Sequence, residues 1–307
     1  MTLGRPEQLL AALMTEALLG YPAWLLRRIG HPVTWIGQVI GTLERSWNEG
    51  PDRLAKGALV ALLLLAVGAG TGWLIERLSG GSGGTAAVIL IATTGLAQRS
   101  LWEHVRAVVV PLEMGDPAAA RLALSRVVGR DTDALDDSSV AAAAIETLAE
   151  SFCDGVVAPA FWFALLGLPG LFAFKAISTA DSMIGHRDAR HERFGKACAR
   201  IDDALNWLPA RISGLLICSA GGRGWRTMAR DAKRHLSPNA GWPESAMAGA
   251  LGITLGSGSH YDGEWIARAT LGGGPRPQAP DLARALRLYR RACALLWIGI
   301  GVIAWLR

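Results

Sequence analysis

GALVALLLLAVGAGTGWLI, residues 57–75, decides how the rest of the chain is read, because nineteen residues pass without a charge. At ~1.5 Å of helical rise per residue, the run covers nearly all of a hydrocarbon core roughly 30 Å thick. It reads as a transmembrane helix. Three further uncharged runs follow, Leu78 to Gln98, Gly155 to Phe174 and Ala292 to Leu306, the last marginal at about 22 Å of helix. Composition agrees. Of 307 residues, 51% are hydrophobic and 19% charged, below the roughly one quarter charged in a soluble domain, and mean hydropathy is +0.28. The expected fold is an all-α, polytopic integral membrane helical bundle, one membrane-embedded domain over 1–307, and a wholly soluble protein is disfavoured.

The charge of +5 comes mostly from arginine, since lysine stands only at Lys56, Lys175, Lys196 and Lys233. Such a balance suits an anionic lipid, an anionic substrate or a nucleic acid. Cys153, Cys198, Cys218 and Cys293 show no CxxC spacing, so neither a zinc site nor a disulfide framework is read. At the N-terminus Glu16 interrupts the apolar stretch and Arg27–Arg28 follow it, the reverse of a cleaved signal. Leu9 to Leu26 is either an interfacial helix with Glu16 in water or a first span whose carboxylate faces protein. Val33, Ile36, Ile40 and Leu43 then mark an amphipathic helix beginning after His31–Pro32.

Outward from residues 57–75, the Gly/Ser turn Ser79 to Gly84 and a helix from Thr85 to Leu101 predict a helical hairpin. Arg27, Arg28, Arg45, Arg53 and Lys56 precede it while Arg77 alone stands at its turn, which puts the turn outside and both flanks in the cytoplasm. Residues 102–154 are polar and read as a cytoplasmic helical insertion, its alanine segment Val140 to Ala149 supplying no span. Gly155 to Phe174 holds Pro159 and the break Gly167 to Gly170, and Lys175, Arg187, Arg190, Arg193, Lys196 and Arg200 follow. A broken or re-entrant segment returning to the cytoplasmic side satisfies both features. Ala204 to Gly222 and Ala246 to Ser259 are expected to pack inside the bundle, Gly272 to Pro280 to form a loop, and Asp281 to Arg291 to begin a helix that ends in an anchor with Trp297 and Trp305. Residues 155–260 are the main site-bearing region.

The densest polar constellation runs from Arg130 to Arg211. Glu146, Glu150 and Asp154 recur every four residues, so one continuous helix would align three carboxylates with about 40° of drift per step. Aligned acids repel unless a cation joins them. Mg²⁺ with phosphate oxygens is one solution, and pairing of a solvated face to Arg121, Arg126 or Arg130 is the other. Lys175 follows twenty uncharged residues in KAISTADSMIGH, where it can hold phosphate as a point charge with Ser178, Thr179 and Ser182 donating, or snorkel to the interface. In RIDDALNWLPARISG, Asp202 and Asn206 stand at i and i+4, with Asp203 adjacent and Arg211 beyond Pro209. The stretch HLSPNAGWPE offers Ser237, Asn239 and backbone amides as an anion nest, with Glu244 opening a helix in the plainer reading.

GRDTDALD, AIETLAESFCDGVVAPAFWFALLGLPGLFAFKAISTADSMIGH, FGKACARIDDALNWLPARISGLL and SPNAGWPESAMAGALG, together with the earlier HPVTWIGQVIGTLE, closely resemble the adenosylcobinamide-phosphate synthase family of cobalamin biosynthesis. The matches fall in order from about residue 16 to residue 260. The resemblance implies a membrane enzyme that joins a carboxylate of its corrinoid substrate, adenosylcobyric acid, to (R)-1-amino-2-propanol or its O-phosphate with ATP and Mg²⁺. It would sit in the bacterial cytoplasmic (inner) membrane with its site toward the cytoplasm. Its implied partners are those substrates and the lipid bilayer, with no nucleic acid; pairing of protomers is left open. In that frame Lys175, Asp181 and Asp202 are the catalytic candidates, the first as a clamp and either aspartate as general base. Arg130, Asp131, Ser178, Thr179, Ser182, Asp203, Asn206, Arg211, Ser237, Asn239 and Glu244 are the substrate and phosphate candidates, and Glu146, Glu150 and Asp154 the metal candidates. No GxxxxGK[ST] loop is present, so nucleotide binding has no Walker argument. The chain departs from the family pattern at Ser151, Ser178, Ala180 and His186, which puts an amide-specific contact in doubt. A non-enzymatic sensor resembling the regulator of β-lactamase induction is the alternative, but a regulator has no need of three aligned acids beside KAISTADSM; a transporter is a third, and it gains only from the broken helices and buried charges.

Overall fold

The computed structural model describes residues 3–186, 188–256, 258–261 and 264–307. Arg187, counted above among the cations after the broken segment, lies outside them. Among the described residues the chain is nearly all helix, with two short two-stranded ribbons, Thr254–Leu255 with Leu271–Gly272 and Ser259–Tyr261 with Glu264–Ile266. It folds into two compact units. One comprises the chain up to Ala97, Ala158–Asn206 and the end from Ile300; the other comprises Gln98–Val157 and Trp207–Gly299. The 102–154 stretch therefore packs with 207–299, and the 155–260 region is divided between the units.

In the first unit, α1 (Arg5–Leu19), α2 (Ala23–Ile29), α3 (Pro32–Trp47), α4 (Arg53–Leu78) and α5 (Gly81–Thr93) precede α9 (Ala158–Leu166) and α10 (Leu168–Ile184). The uncharged run folds as α4, and α10 lies along it. Glycine makes that approach close. A β-carbon at Gly68 would meet the Phe172 carbonyl and the Ala173 backbone, and one at Gly72 would meet the Leu168–Pro169 backbone, the small-residue packing used where no hydrophobic force draws helices together in lipid. The opposite face of α4 leaves Leu59, Leu62, Val67, Trp73 and Leu74 exposed, as a lipid-facing surface should.

Three helical stretches are long and apolar enough to cross a membrane, Arg53–Leu78, Asp137–Leu166 and Ala279–Trp305, or four if Arg5–Leu19 and Ala23–Trp47, bent by 97°, make one broken span. The protein is an all-α membrane protein. Glu16 is buried, which selects the protein-facing reading of the first helix, and His31 caps α3 by accepting the Val33 amide at 3.3 Å.

Two expectations are corrected. The helix predicted over 85–101 is interrupted after Thr93, and α6 (Gln98–Glu113) begins in the other unit. Thirteen residues of α5 reach only about 20 Å, so no full hairpin spans here. Conversely, α8 (Asp137–Phe152) continues through a π-helical turn, Cys153–Val157, into α9. The alanine segment thus belongs to a thirty-residue helix able to cross, and the break comes at Gly167 (φ 71°). A similar continuity lengthens the C-terminal anchor into α14 (Ala279–Trp305).

Candidate functional site

The candidate residues fall into two groups, one in each unit. In the first, α10 carries Lys175, Ser178, Thr179, Asp181 and Ser182, and the start of α11 (Lys196–Gly221) carries Asp202, Asp203 and Asn206. Pro209 inside α11 lacks the N–H that would bond the Leu205 carbonyl four residues back; the Trp162 indole donates to that carbonyl instead, at 3.2 Å. The helix therefore carries its polar turn unbroken.

Asp202 Oδ2 accepts from Asn206 Nδ2 at 2.9 Å, while Oδ1 is buried with no hydrogen-bond partner among the described residues. Burial, then the charge of Asp181, push the Asp202 carboxyl up to about 7, against the opposing effects of Asn206 and Lys175. Burial, then Asp203, raise Asp181 as well. Crowded carboxylates withdrawn from water hold a proton near neutrality. Cys198 beside them is pushed up to about 12, by burial first and then by Asp181 and Asp202, so its thiol is inert. Two of the hydroxyls expected to meet phosphate donate along their own helix instead. Thr179 donates to the Lys175 carbonyl at 2.6 Å and Ser182 to the Ser178 carbonyl at 2.9 Å, the back-bonding usual for hydroxyls on a helix. Lys175 lines an apolar cavity of about 510 Å³ walled by Tyr21, Trp35, Leu64 and Phe172.

In the second unit Glu146 is buried and doubly held. Its Oε2 accepts from Arg130 Nη2 at 2.9 Å and its Oε1 from the Gly256 amide at 2.8 Å, with Arg268 Nη1 at 3.9 Å. Glu150 is exposed and Asp154 lies in the π-turn, where the wider helix breaks the four-residue alignment. Among the described residues no three His, Cys, Asp or Glu side chains are grouped to hold a metal ion. Among the described residues the acidic row is therefore not assembled as a three-carboxylate Mg²⁺ site: the π-turn displaces Asp154, and Glu146 is held by Arg130 and the Gly256 amide.

Glu244, on α13 (Gly241–Leu251), is buried with His235 Nε2 at 3.7 Å. Burial, then the charges of Glu146 and Glu150, raise its carboxyl well above the usual range, and burial, then Arg268, lower His235. Ser237 Oγ accepts the Asn239 and Ala240 amides, both at 3.2 Å. That turn consumes the backbone donors expected to form an anion nest. Asn239 instead accepts from Arg211 Nη1 at 3.1 Å, and Nη1 also donates to the Trp207 carbonyl at 2.6 Å. The Arg211 guanidinium is sandwiched between the Trp207 and Trp242 rings, 4.4 and 4.6 Å from their centroids. Two aromatic faces and two Nη1 hydrogen bonds hold the guanidinium in place, and a guanidinium is the side chain best matched to a carboxylate or phosphate. Asp131 is exposed, away from this sandwich's hydrogen bonds. Sequence reasoning missed Arg268, His235 and the Trp207–Trp242 pair. The two tryptophans stood in quoted motifs, but nothing in their spacing signals a stack across 35 residues.

The sequence profile of a family described as CobD/Cbib protein matches residues 9–289. The chain is 47% identical over 305 residues to a cobalamin biosynthesis protein CobD of Rhodobacter capsulatus, covering 96% of this chain and 97% of that one. It is 40% identical over 302 residues to the protein of the same description from Brucella suis biovar 1, at 93% and 92% coverage. The corresponding Sinorhizobium sp protein is 41% identical over 303 residues, at 93% and 94%. No solved structure gives a significant match.

Proposed function

The chain belongs to the CobD/Cbib protein family, and from that premise we propose that it acts in cobalamin biosynthesis by forming an amide. The bond would join a propionate carboxylate of adenosylcobyric acid to the amine of (R)-1-amino-2-propanol or its O-phosphate. The observation that carries the chemical reading is the Asp181/Asp202 pair, whose shared burial keeps one carboxyl titrating near neutrality beside Lys175.

A carboxylate is a poor acyl donor, and ATP supplies the activation by making it an acyl phosphate. The amine nitrogen then attacks the acyl carbon, phosphate leaves with the C–O electron pair, and the nitrogen sheds a proton. Asp202 Oδ1 is the acceptor assigned to that proton, since a base with a pKa near the working pH transfers protons most efficiently. Asn206 orients it through Oδ2. Lys175 would hold an anionic group of a substrate, and Arg211 would hold phosphate or carboxylate. Mg²⁺ would arrive on the phosphates; no step is assigned to it through Glu146, Glu150 or Asp154.

The protein is proposed to lie in the bacterial inner membrane with this chemistry toward the cytoplasm, a reading supported by the cations at 27–56 and 175–200. Relatives at 40–47% identity over nearly the full chain carry cobalamin descriptions, and nothing among them favours a sensor. The test is direct. Detergent-solubilised protein is incubated with adenosylcobyric acid, MgATP and either amine, and the corrinoid product is identified by mass. Formation of adenosylcobinamide or its phosphate supports the reading; unchanged corrinoid with both amines refutes it.

A further inference from the structure

A polar cavity is found in the second unit, and none of the candidate residues lines it. About 230 Å³ in volume, it is lined by Arg284, Arg287, Leu288 and Arg291 of α14 with Gly221, Ala250 and Leu251. Positions 284, 287 and 291 fall within about 60° of one helix face, so three exposed arginines border one small space. Small residues make the room: a β-carbon on Gly221 would sit 2.9 Å from that of Ala250 and 3.5 Å from Leu288.

Only one of the three cations is spoken for. Arg284 donates to Asp281 at 2.7 Å and to the Leu251 carbonyl at 2.9 Å, which fixes it as one wall. Arg287 and Arg291 have no ion pair among the described residues. Arg223, bonded to the Ala250 carbonyl at 2.8 Å, adds positive charge beside the same small residues. Four arginines against the single carboxylate of Asp281 leave a positive hollow with multiple N–H donors, the chemistry that holds a phosphate oxygen set. The uncharged run from Ala292 to Leu306 begins directly after Arg291, placing the hollow at headgroup level on a helix able to cross.

We propose that this cavity is a phosphate-binding site, separate from the amide-forming chemistry. The phosphate has two sources, the headgroup of an anionic phospholipid or a soluble phosphate ester, and the experiment separates them. Full-length protein in neutral detergent is titrated with phosphatidylglycerol and with phosphatidylcholine of the same acyl chains, and bound lipid is read by native mass spectrometry. In parallel, its melting temperature is followed in inorganic phosphate against chloride at equal ionic strength. The double variant Arg287→Gln/Arg291→Gln and the control Arg290→Gln, which lies outside the lining, are run beside it. The expected result is at least tenfold preference for phosphatidylglycerol, lost in the double variant and kept in the control, with added salt weakening it. Stabilisation by inorganic phosphate above chloride, lost in the same variant, supports the soluble source instead. No preference in either arm for the wild-type protein, or equal loss in Arg290→Gln and the double variant, overturns the site.

Discussion

Asp202 in one unit and Glu146 in the other are both carboxylates on long helices, and burial acts on both. Glu146 meets a guanidinium on one oxygen and an amide on the other, so both oxygens have a hydrogen-bond partner within the protein. Asp202 meets one neutral amide from Asn206, keeps Oδ1 without a hydrogen-bond partner among the described residues and feels the charge of Asp181. The first arrangement fixes a charge; the second makes a charge that can change. Burial alone does not mark a chemical site, then. What marks it is a buried acid whose neighbours are other acids and whose oxygen is still open.

This contrast can be broken at several points. Asp202→Asn keeps the volume and removes the base, and kcat for amide formation should fall by about 10²–10⁴-fold with the protein still monodisperse in detergent. Wild-type turnover would remove Asp202 from the chemistry. Arg130→Met should act on stability instead. A buried carboxylate losing its partner costs about 3 kcal/mol or more, so the melting temperature should drop clearly while Asp202→Asn leaves it near the wild-type value. If the two variants exchange these signatures, the roles assigned to the two regions are reversed.

Lys175→Met keeps the stem and deletes the charge. If the ammonium clamps substrate phosphate, KM for ATP or for aminopropanol phosphate should rise by roughly tenfold, the scale of one charged hydrogen bond. An unchanged KM for both, with kcat also unchanged, would return the side chain to an anchoring role in its apolar cavity. The smallest effect is expected at Asn206→Leu. Its hydrogen bond lowers the Asp202 pKa, so its loss should carry the acidic limb of the rate profile to higher pH; movement the other way would contradict the geometry.

The sequence made the apolar runs, the start of α3 at His31–Pro32 and the candidate side chains legible, because each rests on local chemistry. The end of α5 was hidden, since Thr93 to Ala97 is uncharged and holds no proline, and Gly95 lies in the packing of Leu171. The four-residue spacing of Glu146, Glu150 and Asp154 is plain in the sequence, but spacing could not reveal the Arg130 and Gly256 partners or the π-turn that disturbs it. Asp181 and Asp202 were both singled out as bases; that they act on one another depends on α10 and α11 coming together across 21 residues.

The central claim is that the Asp181/Asp202 pair handles the proton of the amide-forming step. Its most direct test is the pH dependence of kcat with all substrates saturating, measured for the wild-type protein and for Asp202→Asn. A base must be deprotonated to act, so wild-type kcat should be low in acid and rise through an apparent pKa near the value of about 7 held by Asp202, and that limb should vanish from the residual activity of the variant. A wild-type profile flat across this range, or the same limb persisting in Asp202→Asn, would contradict the account.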